Sequence, residues 1–360
     1  MRILICNWKD LAHPAAGGAE VYVDAIARQW VGWGHQVTQF CAGCPGEAAE
    51  EEVGGVRVVR RGGRLGVYRE ASRYFRSGAG GPYDVVLDVV NTRPFRCPAY
   101  VRDVPVVAMI FQVAKEIWSY EVPRPAALVG RHWLEPRWLR LYASVPTLTI
   151  SESSRESLEA YGLRRVSVVP VGIELPVLGE PPPREARPTV CFLGRLAANK
   201  RPDHALEAFR LARRRIPDAQ MWVVGSGPME AALRRKYAGE PVRFFGRVGH
   251  AEKLDLLARS HALLVTSVRE GWGLVVTEAA ALGTPSIGYS VPGLRDSLRA
   301  SMGVEVGASI EEMARSIVSL LPTWAAGARP PVSPGGVAPW AEVARSVMGH
   351  LEREHARAAP

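Results

Sequence analysis

Short apolar, β-branched runs alternate with segments of helical period twice along this chain, once on each side of a proline-rich stretch. In the first half the runs are Ile3–Cys6, Gln36–Phe40, Arg57–Val59, Asp84–Val90, Pro105–Ile110, Thr147–Ile150 and Val166–Pro170, and Ala19–Trp30 has helical spacing. In the second half they are Thr189–Leu193, Gln220–Val224, Arg243–Phe245, Ala262–Thr266 and Ser286–Tyr289, interleaved with helical segments at 203–215, 229–238 and 251–259 and followed by one at 310–321. Strands of this kind are buried on both faces, and their alternation with helices specifies a parallel sheet with helices on both sides.

The stretch 171–188 contains Pro181-Pro-Pro-Arg-Glu-Ala-Arg-Pro188 and has no periodicity, which predicts an interdomain linker. A chain of 360 residues is also too long for one ordinary core. The expected fold class is therefore α/β, with two Rossmann-like, doubly wound domains at 1–170 and 189–335. A last helix over about Trp340–Glu354 places Val343, Val347 and Leu351 at four-residue spacing within the terminal stretch 336–360.

The bulk properties exclude several classes. No apolar run approaches the roughly 18 residues that would span a bilayer. Met1-Arg-Ile-Leu-Ile-Cys6 leads straight into a strand and lacks the pattern of a secretory leader, so the expected location is the cytoplasm. The five cysteines are an odd set, and Cys41-Ala-Gly-Cys44 has no second pair, so neither a disulfide framework nor a metal site is expected. The net charge of +9 favours anionic partners, but Arg210, Arg213, Arg214 and Arg215 read as a solvated helix face without interleaved stacking aromatics, so nucleic acid is not an expected partner. Segment Leu128–Tyr142 mixes Arg131, His132, Trp133, Arg137, Trp138 and Arg140. That mixture suits the inner face of a membrane as a peripheral contact, although Pro136 interrupts the pattern and a packed helix is the plainer reading.

Two glutamates carry the chemistry. Glu270 follows the strand Ala262–Thr266, and Glu278 lies about one turn inside the next helix, which stops at Gly283. The carboxyl edge of a parallel sheet is where ligands bind. Gly271 and Gly273 permit close backbone approach, and the N–H groups of Gly271, Trp272, Gly273 and Leu274 at the helix start suit phosphate or sugar oxygens. Plainer roles for the two carboxylates are helix capping or ion pairs with Arg269 or Arg295.

This stretch resembles the E-x7-E motif of the retaining GT-B glycosyltransferases, in particular glycosyltransferase family 4. Gly194-Arg195-Leu-Ala-Ala-Asn-Lys200 is similar to that family's Gly-Arg-Leu-x-x-x-Lys element, and Gly225-Ser-Gly227-Pro228 to its Gly-x-Gly-Pro turn. Phe244-Phe-Gly-Arg-Val248 and Gly17-Gly18-Ala-Glu20 match two further elements in the expected order. The resemblance implies two domains facing across a cleft, an acceptor-binding first domain, a nucleotide-sugar-binding second domain, and a terminal helix returning to the first.

It also implies roles. Arg195 and Lys200 would stabilise the departing diphosphate, and Glu270 would contact the donor sugar; these are the expected catalytic residues. Glu278 would accept from the two ribose hydroxyls, the backbone of Val248 would meet the base, and Gly17 and Gly18 would approach phosphate or an acceptor hydroxyl. The donor is a nucleotide diphosphate sugar, no other cofactor is expected, and the acceptor is a small molecule, a glycan or a lipid-linked hydroxyl. The family's histidine that faces the donor sugar falls at Phe111, so its polar contact is either missing or supplied by Gln112, Lys115 or His13 on the acceptor side. The reading is a metal-independent retaining transferase acting by front-side attack. The alternatives are a nucleotide-sugar-binding pseudoenzyme and a nucleotide-sugar epimerase on the same fold.

Overall fold

The computed structural model describes residues 1–14, 16–173, 182–328 and 330–358. They form two compact units: Met1–Lys115, Pro125–Glu174 and Ala338–Pro360 in one, and Glu116–Arg124 with Leu175–Val337 in the other.

The first unit is built on eight strands: β1 (Arg2–Cys6), β2 (Gln36–Cys41), β3 (Glu50–Val53), β4 (Val56–Arg60), β5 (Val85–Val89), β6 (Val106–Met109), β7 (Thr147–Thr149) and β8 (Val166–Val168). Their order is β3-β4-β2-β1-β5-β6-β7-β8, and every pairing except β3 with β4 is parallel. All five residues of β5 are buried, as expected for a strand covered on both faces. The antiparallel β3 was not legible as a strand, because Glu50-Glu-Glu reads as a charge run. Its carboxylates meet the neighbouring arginines, with Glu50 bonded by Arg57 at 2.9 Å and Arg61 at 2.8 Å. Charge on an edge strand also discourages pairing with another chain.

Helix Trp340–Ala358 lies in the first unit with helix Gly18–Gly32: Trp30 Nε1 donates to the carbonyl of Ala344 at 3.0 Å. The buried stripe Val343, Val347 and Leu351 is the face that four-residue spacing anticipates. Part of the expected linker is packed here too. Val171 and Ile173 are buried, and the Trp340 ring fills the space where a Cβ on Gly172 would stand. The central part of that linker, 174–181, lies outside the described residues.

The second unit holds six parallel strands in the order β12-β11-β10-β13-β14-β15. They are, in chain order after the short β9 (Val171–Gly172), β10 (Thr189–Leu193), β11 (Gln220–Val224), β12 (Val242–Gly246), β13 (Ala262–Val265), β14 (Ser286–Tyr289) and β15 (Val304–Val306). Phe192, Leu264 and Ile287 lie at the core of this sheet, and Phe209 and Ile317 from flanking helices close over it. Each such side chain, once buried, contributes about 1.5–3 kcal/mol. Among the described residues no helix is long and apolar enough to cross a membrane.

Glu116–Arg124 lies inside the range expected for the first domain but clusters with the second unit. Arg269 Nε donates to Glu116 at 2.8 Å, and Arg201 donates to the Tyr120 hydroxyl at 2.6 Å.

Candidate active site

The expected catalytic residues of the second unit stand on loops at the carboxyl edge of its sheet. Because β10 pairs with β13 in parallel, Phe192 beside Leu264, the loops that leave these two strands are neighbours. The Thr266 hydroxyl donates to the carbonyls of Lys200 at 3.0 Å and Arg201 at 2.7 Å, and the Val268 N–H donates to the carbonyl of Asn199 at 2.9 Å. This stitching brings Lys200 Nζ within 2.5 Å of Glu270 Oε1, and the Ser267 hydroxyl donates to the same oxygen at 2.6 Å. Neither carboxylate takes the ion pair considered from sequence. Glu270 pairs with Lys200, Glu278 pairs with Lys253 at 2.7 Å, and Arg269 is bonded to Glu116.

Arg195 is exposed between half-buried Gly194 and fully buried Leu196. Its guanidinium has no hydrogen-bond or ion-pair partner among the described residues, so its donors are available to an anion. The loop that carries it rests on the Gly225–Pro228 turn. Gly194 N–H donates to Val224 O, Leu196 N–H to Ser226 O and Met229 N–H to Leu196 O, each at 3.0 Å. A Cβ on Gly225 would stand 2.0 Å from the Gly194 carbonyl oxygen. That glycine therefore serves close backbone approach, as does Gly227 against Leu196.

Gly273 caps helix Leu274–Ala281 with φ of 92°, a left-handed value suited to glycine. The Val276 N–H donates back to the Gly273 carbonyl at 2.9 Å, the amides of Leu274 and Val275 precede that bond, and Glu278 stands a turn further on. Trp272 is buried, donates from Nε1 to Thr277 Oγ1 at 2.9 Å, and packs against Gly336. Its side chain is a packed structural group. Val248 is partly buried against the core beyond β12.

Three supporting residues escaped the sequence reading. Lys253 lies on helix His250–Arg259 with no motif to mark it. Ser267 is an ordinary residue in an ordinary loop. Gly293, after β14, permits its turn to press on the Glu270 loop: a Cβ there would stand 1.9 Å from the Glu270 carbonyl oxygen. The one available signal was Pro292-Gly293, a turn pair at a strand end.

In the first unit, the loops after β1, β5 and β6 gather at one edge of the sheet. Asn91 Nδ2 donates to Asn7 Oδ1 at 2.9 Å. The N–H of Gly17 is bonded to Glu20 Oε2 at 2.7 Å, and Lys9 Nζ lies 3.5 Å from that oxygen. The Gly17 amide is thus directed to a buried carboxylate of its own helix. Gly18 begins the helix itself. His13 stacks obliquely by Trp8, with ring centroids 5.9 Å apart, and burial with the Lys9 charge lowers its pKa below the usual value.

Phe111 is a core residue, its ring 5.3 Å edge-on from that of Tyr22. Gln112 beside it has a buried Oε1 with no hydrogen-bond partner. Lys115 has φ of 34°, and its N–H and that of Ala114 donate to the carboxylate of buried Glu135 at 2.9 and 2.5 Å.

Residues 16–176 match the model of "Glycosyltransferase Family 4", and residues 187–322 that of "Glycosyl transferases group 1". With its two parallel-sheet units, the chain is a glycosyltransferase of the GT-B fold. Among its relatives is the GDP-mannose-dependent alpha-(1-6)-phosphatidylinositol dimannoside mannosyltransferase of Mycobacterium tuberculosis, 25% identical over 86% of this chain and 85% of that protein. Sucrose-phosphate synthase from Thermosynechococcus elongatus shares the fold with a TM-score of 0.77 and 19% identity, covering 99% of this chain and 100% of that one. HepE of Anabaena, solved in complex with UDP-glucose, does so with a TM-score of 0.66 and 15% identity, over 99% and 95% of the two chains.

Proposed function

We propose that this glycosyltransferase moves a hexosyl group from a nucleotide diphosphate sugar to an acceptor hydroxyl, with retention at the anomeric carbon and without a metal ion. The observation that carries this reading is the meeting of Lys200 and Glu270 beside the unpaired Arg195, with Glu278 on the adjoining helix. Two cations beside the site of bond breaking stabilise negative charge as it develops on the diphosphate, the role a metal ion otherwise fills. The bond from the anomeric carbon to the phosphate oxygen breaks, the acceptor oxygen bonds to that carbon on the same face, and its proton passes to the β-phosphate. Glu270 orients the donor sugar and offsets oxocarbenium charge. Glu278 accepts from both ribose hydroxyls, which fits an ionised carboxylate with two acceptor oxygens.

The reaction belongs in the cytoplasm, at the inner face of the membrane. The mannosyltransferase relative is named for a phosphatidylinositol dimannoside and for GDP-mannose. A lipid-linked acceptor and GDP-mannose are accordingly the first pair to test, ahead of glycans and small molecules.

A thermal-shift panel with UDP, GDP, dTDP, ADP and their common sugars, wild type beside Glu278→Ala, tests the donor site. A ligand that binds only the folded chain raises Tm. One nucleotide should raise Tm in the wild type and not in the variant; no shift with any of them refutes the donor site. With the donor known, the product's anomeric configuration by NMR tests retention, turnover in EDTA tests metal independence, and acceptor-dependent product excludes an epimerase or a binding-only protein.

A further inference from the structure

We infer that Glu116 and Tyr120 are positioning residues for the Lys200–Glu270 pair, an inference that rests on the catalytic roles given to that pair above. The two lie on consecutive helical turns, a 3-10 turn at Lys115–Ile117 and a short helix at Trp118–Glu121. Residues four apart on such turns share one face. The short helix packs on the turn Ala198–Lys200, which ends in Lys200 itself.

Each of the two side chains holds the immediate neighbour of a catalytic residue. Arg269 precedes Glu270; its side chain is only 3% exposed, and its Nε donates to Glu116 at 2.8 Å. Arg201 follows Lys200; it donates to the Tyr120 hydroxyl at 2.6 Å, and its guanidinium lies 5.6 Å from the centre of the Tyr120 ring. With Lys200 bonded to Glu270, the links close into a ring. It runs from Glu116 to Arg269, along the backbone to Glu270, across to Lys200, along the backbone to Arg201 and back to Tyr120. Arg201 has φ of 46° and ψ of 52°, a left-handed conformation that a residue with a Cβ keeps only where its surroundings hold it. The Tyr120 bond is one such hold, and the Thr266 hydroxyl on the carbonyls of Lys200 and Arg201 is another. A carboxylate that served only to neutralise buried Arg269 would need no companion on the Lys200 side. Tyr120 supplies that second contact from the same helical face, so the segment grips both catalytic loops together.

Glu116→Gln with Tyr120→Phe preserves side-chain size and removes the charge and the hydroxyl. A lysine held in an ion pair reacts slowly with acetic anhydride, because the free amine is the nucleophile. Acetylation of Lys200, read by mass spectrometry against that of exposed Lys236, should rise in the double variant towards the value in Glu270→Gln. Adding Glu270→Gln to the double variant should raise it no further, because the same contact is already lost. With the nucleotide sugar that raises Tm as donor, kcat in the double variant should fall about 10- to 100-fold, the effect of misplacing a reacting group from a distance. KM for that donor should change only a few-fold. Tyr120→Phe alone leaves Arg269 its carboxylate and should show the same changes in smaller measure. Unchanged Lys200 acetylation in the double variant, where Glu270→Gln raises it, overturns the inference. So does an unchanged kcat where Glu270→Gln lowers it, even if Tm falls, since the segment would then be structural only. If Glu270→Gln itself leaves kcat unchanged, the catalytic role of the pair fails first, and the inference with it.

Discussion

Lys200 Nζ and Glu270 Oε1 are 2.5 Å apart across 70 positions of sequence. The two residues belong to different motifs, yet the pairing of β10 with β13 makes them one charged unit. Lys200→Ala should lower kcat about 10²–10³-fold, the size of effect seen when one donor to developing charge is removed. Glu270→Gln should also lower kcat, and the double variant should lose less than the product of the two losses, because each side chain positions the other. Initial rates at saturating donor for the four proteins check this; strictly multiplicative losses would show the pair to be independent.

Glu278 is proposed to hold the ribose, and Lys253 holds Glu278 at 2.7 Å. Hydrogen bonds to a charged group contribute about 1.5–3 kcal/mol, so Glu278→Ala should weaken donor binding about 10- to 100-fold. Lys253→Met leaves the carboxylate present but loosens its orientation, and should weaken binding only a few-fold. Calorimetric titration with the donor nucleotide separates the two effects.

Gly293 and Gly34 both have positive φ, 77° and 88°. An alanine at either position costs about 1 kcal/mol or more in backbone strain. A Cβ at position 34 meets nothing within 4 Å, whereas at 293 it meets the Glu270 carbonyl oxygen at 1.9 Å. Both substitutions should lower Tm. Only Gly293→Ala should also reduce kcat/KM, because the Glu270 loop must shift; unchanged kinetics in that variant would mean the loop is tolerant of the displacement.

Asp88 is fully buried, and burial raises its pKa above the usual carboxylate value despite hydrogen bonds from Tyr142 and the Cys97 amide. The folded chain therefore keeps this proton to higher pH than the unfolded chain. Its stabilising contribution is complete below the unfolded pKa of about 3.9 and is lost as pH rises through the folded value. Asp88→Asn cannot ionise, so the Tm of the variant relative to wild type should rise as pH is raised from acid to neutral. A melting series across that range reads the difference directly; parallel curves would place the Asp88 pKa at its ordinary value.

Much of the second unit was legible along the chain. The strands at 189–193, 220–224 and 286–289 were found with the observed boundaries, since apolar, β-branched runs bounded by turns report local conformation and burial together. Helix boundaries moved by one to a few residues, as at Pro202–Arg213 for the segment expected over 203–215. The helices Val67–Arg76 and Leu294–Ala300 and the strands β3 and β15 were not distinguished, being short or strongly charged.

The chain by itself determined the α/β class, the placement of Arg195, Lys200 and Glu270 after strand ends and of Glu278 a turn inside the following helix, and the buried stripe of the last helix. Those properties follow from periodicity and from residues close in sequence. Tertiary structure alone decided which partners these groups meet: Lys200 for Glu270, Lys253 for Glu278, Glu116 for Arg269 and Tyr22 for the ring of Phe111. It also decided that Trp133 points outward, because a π turn changes which residues face the core. Partners are set by which strands lie side by side and where their loops leave the sheet. That order arises from packing of segments far apart in the chain, and no local pattern carries it.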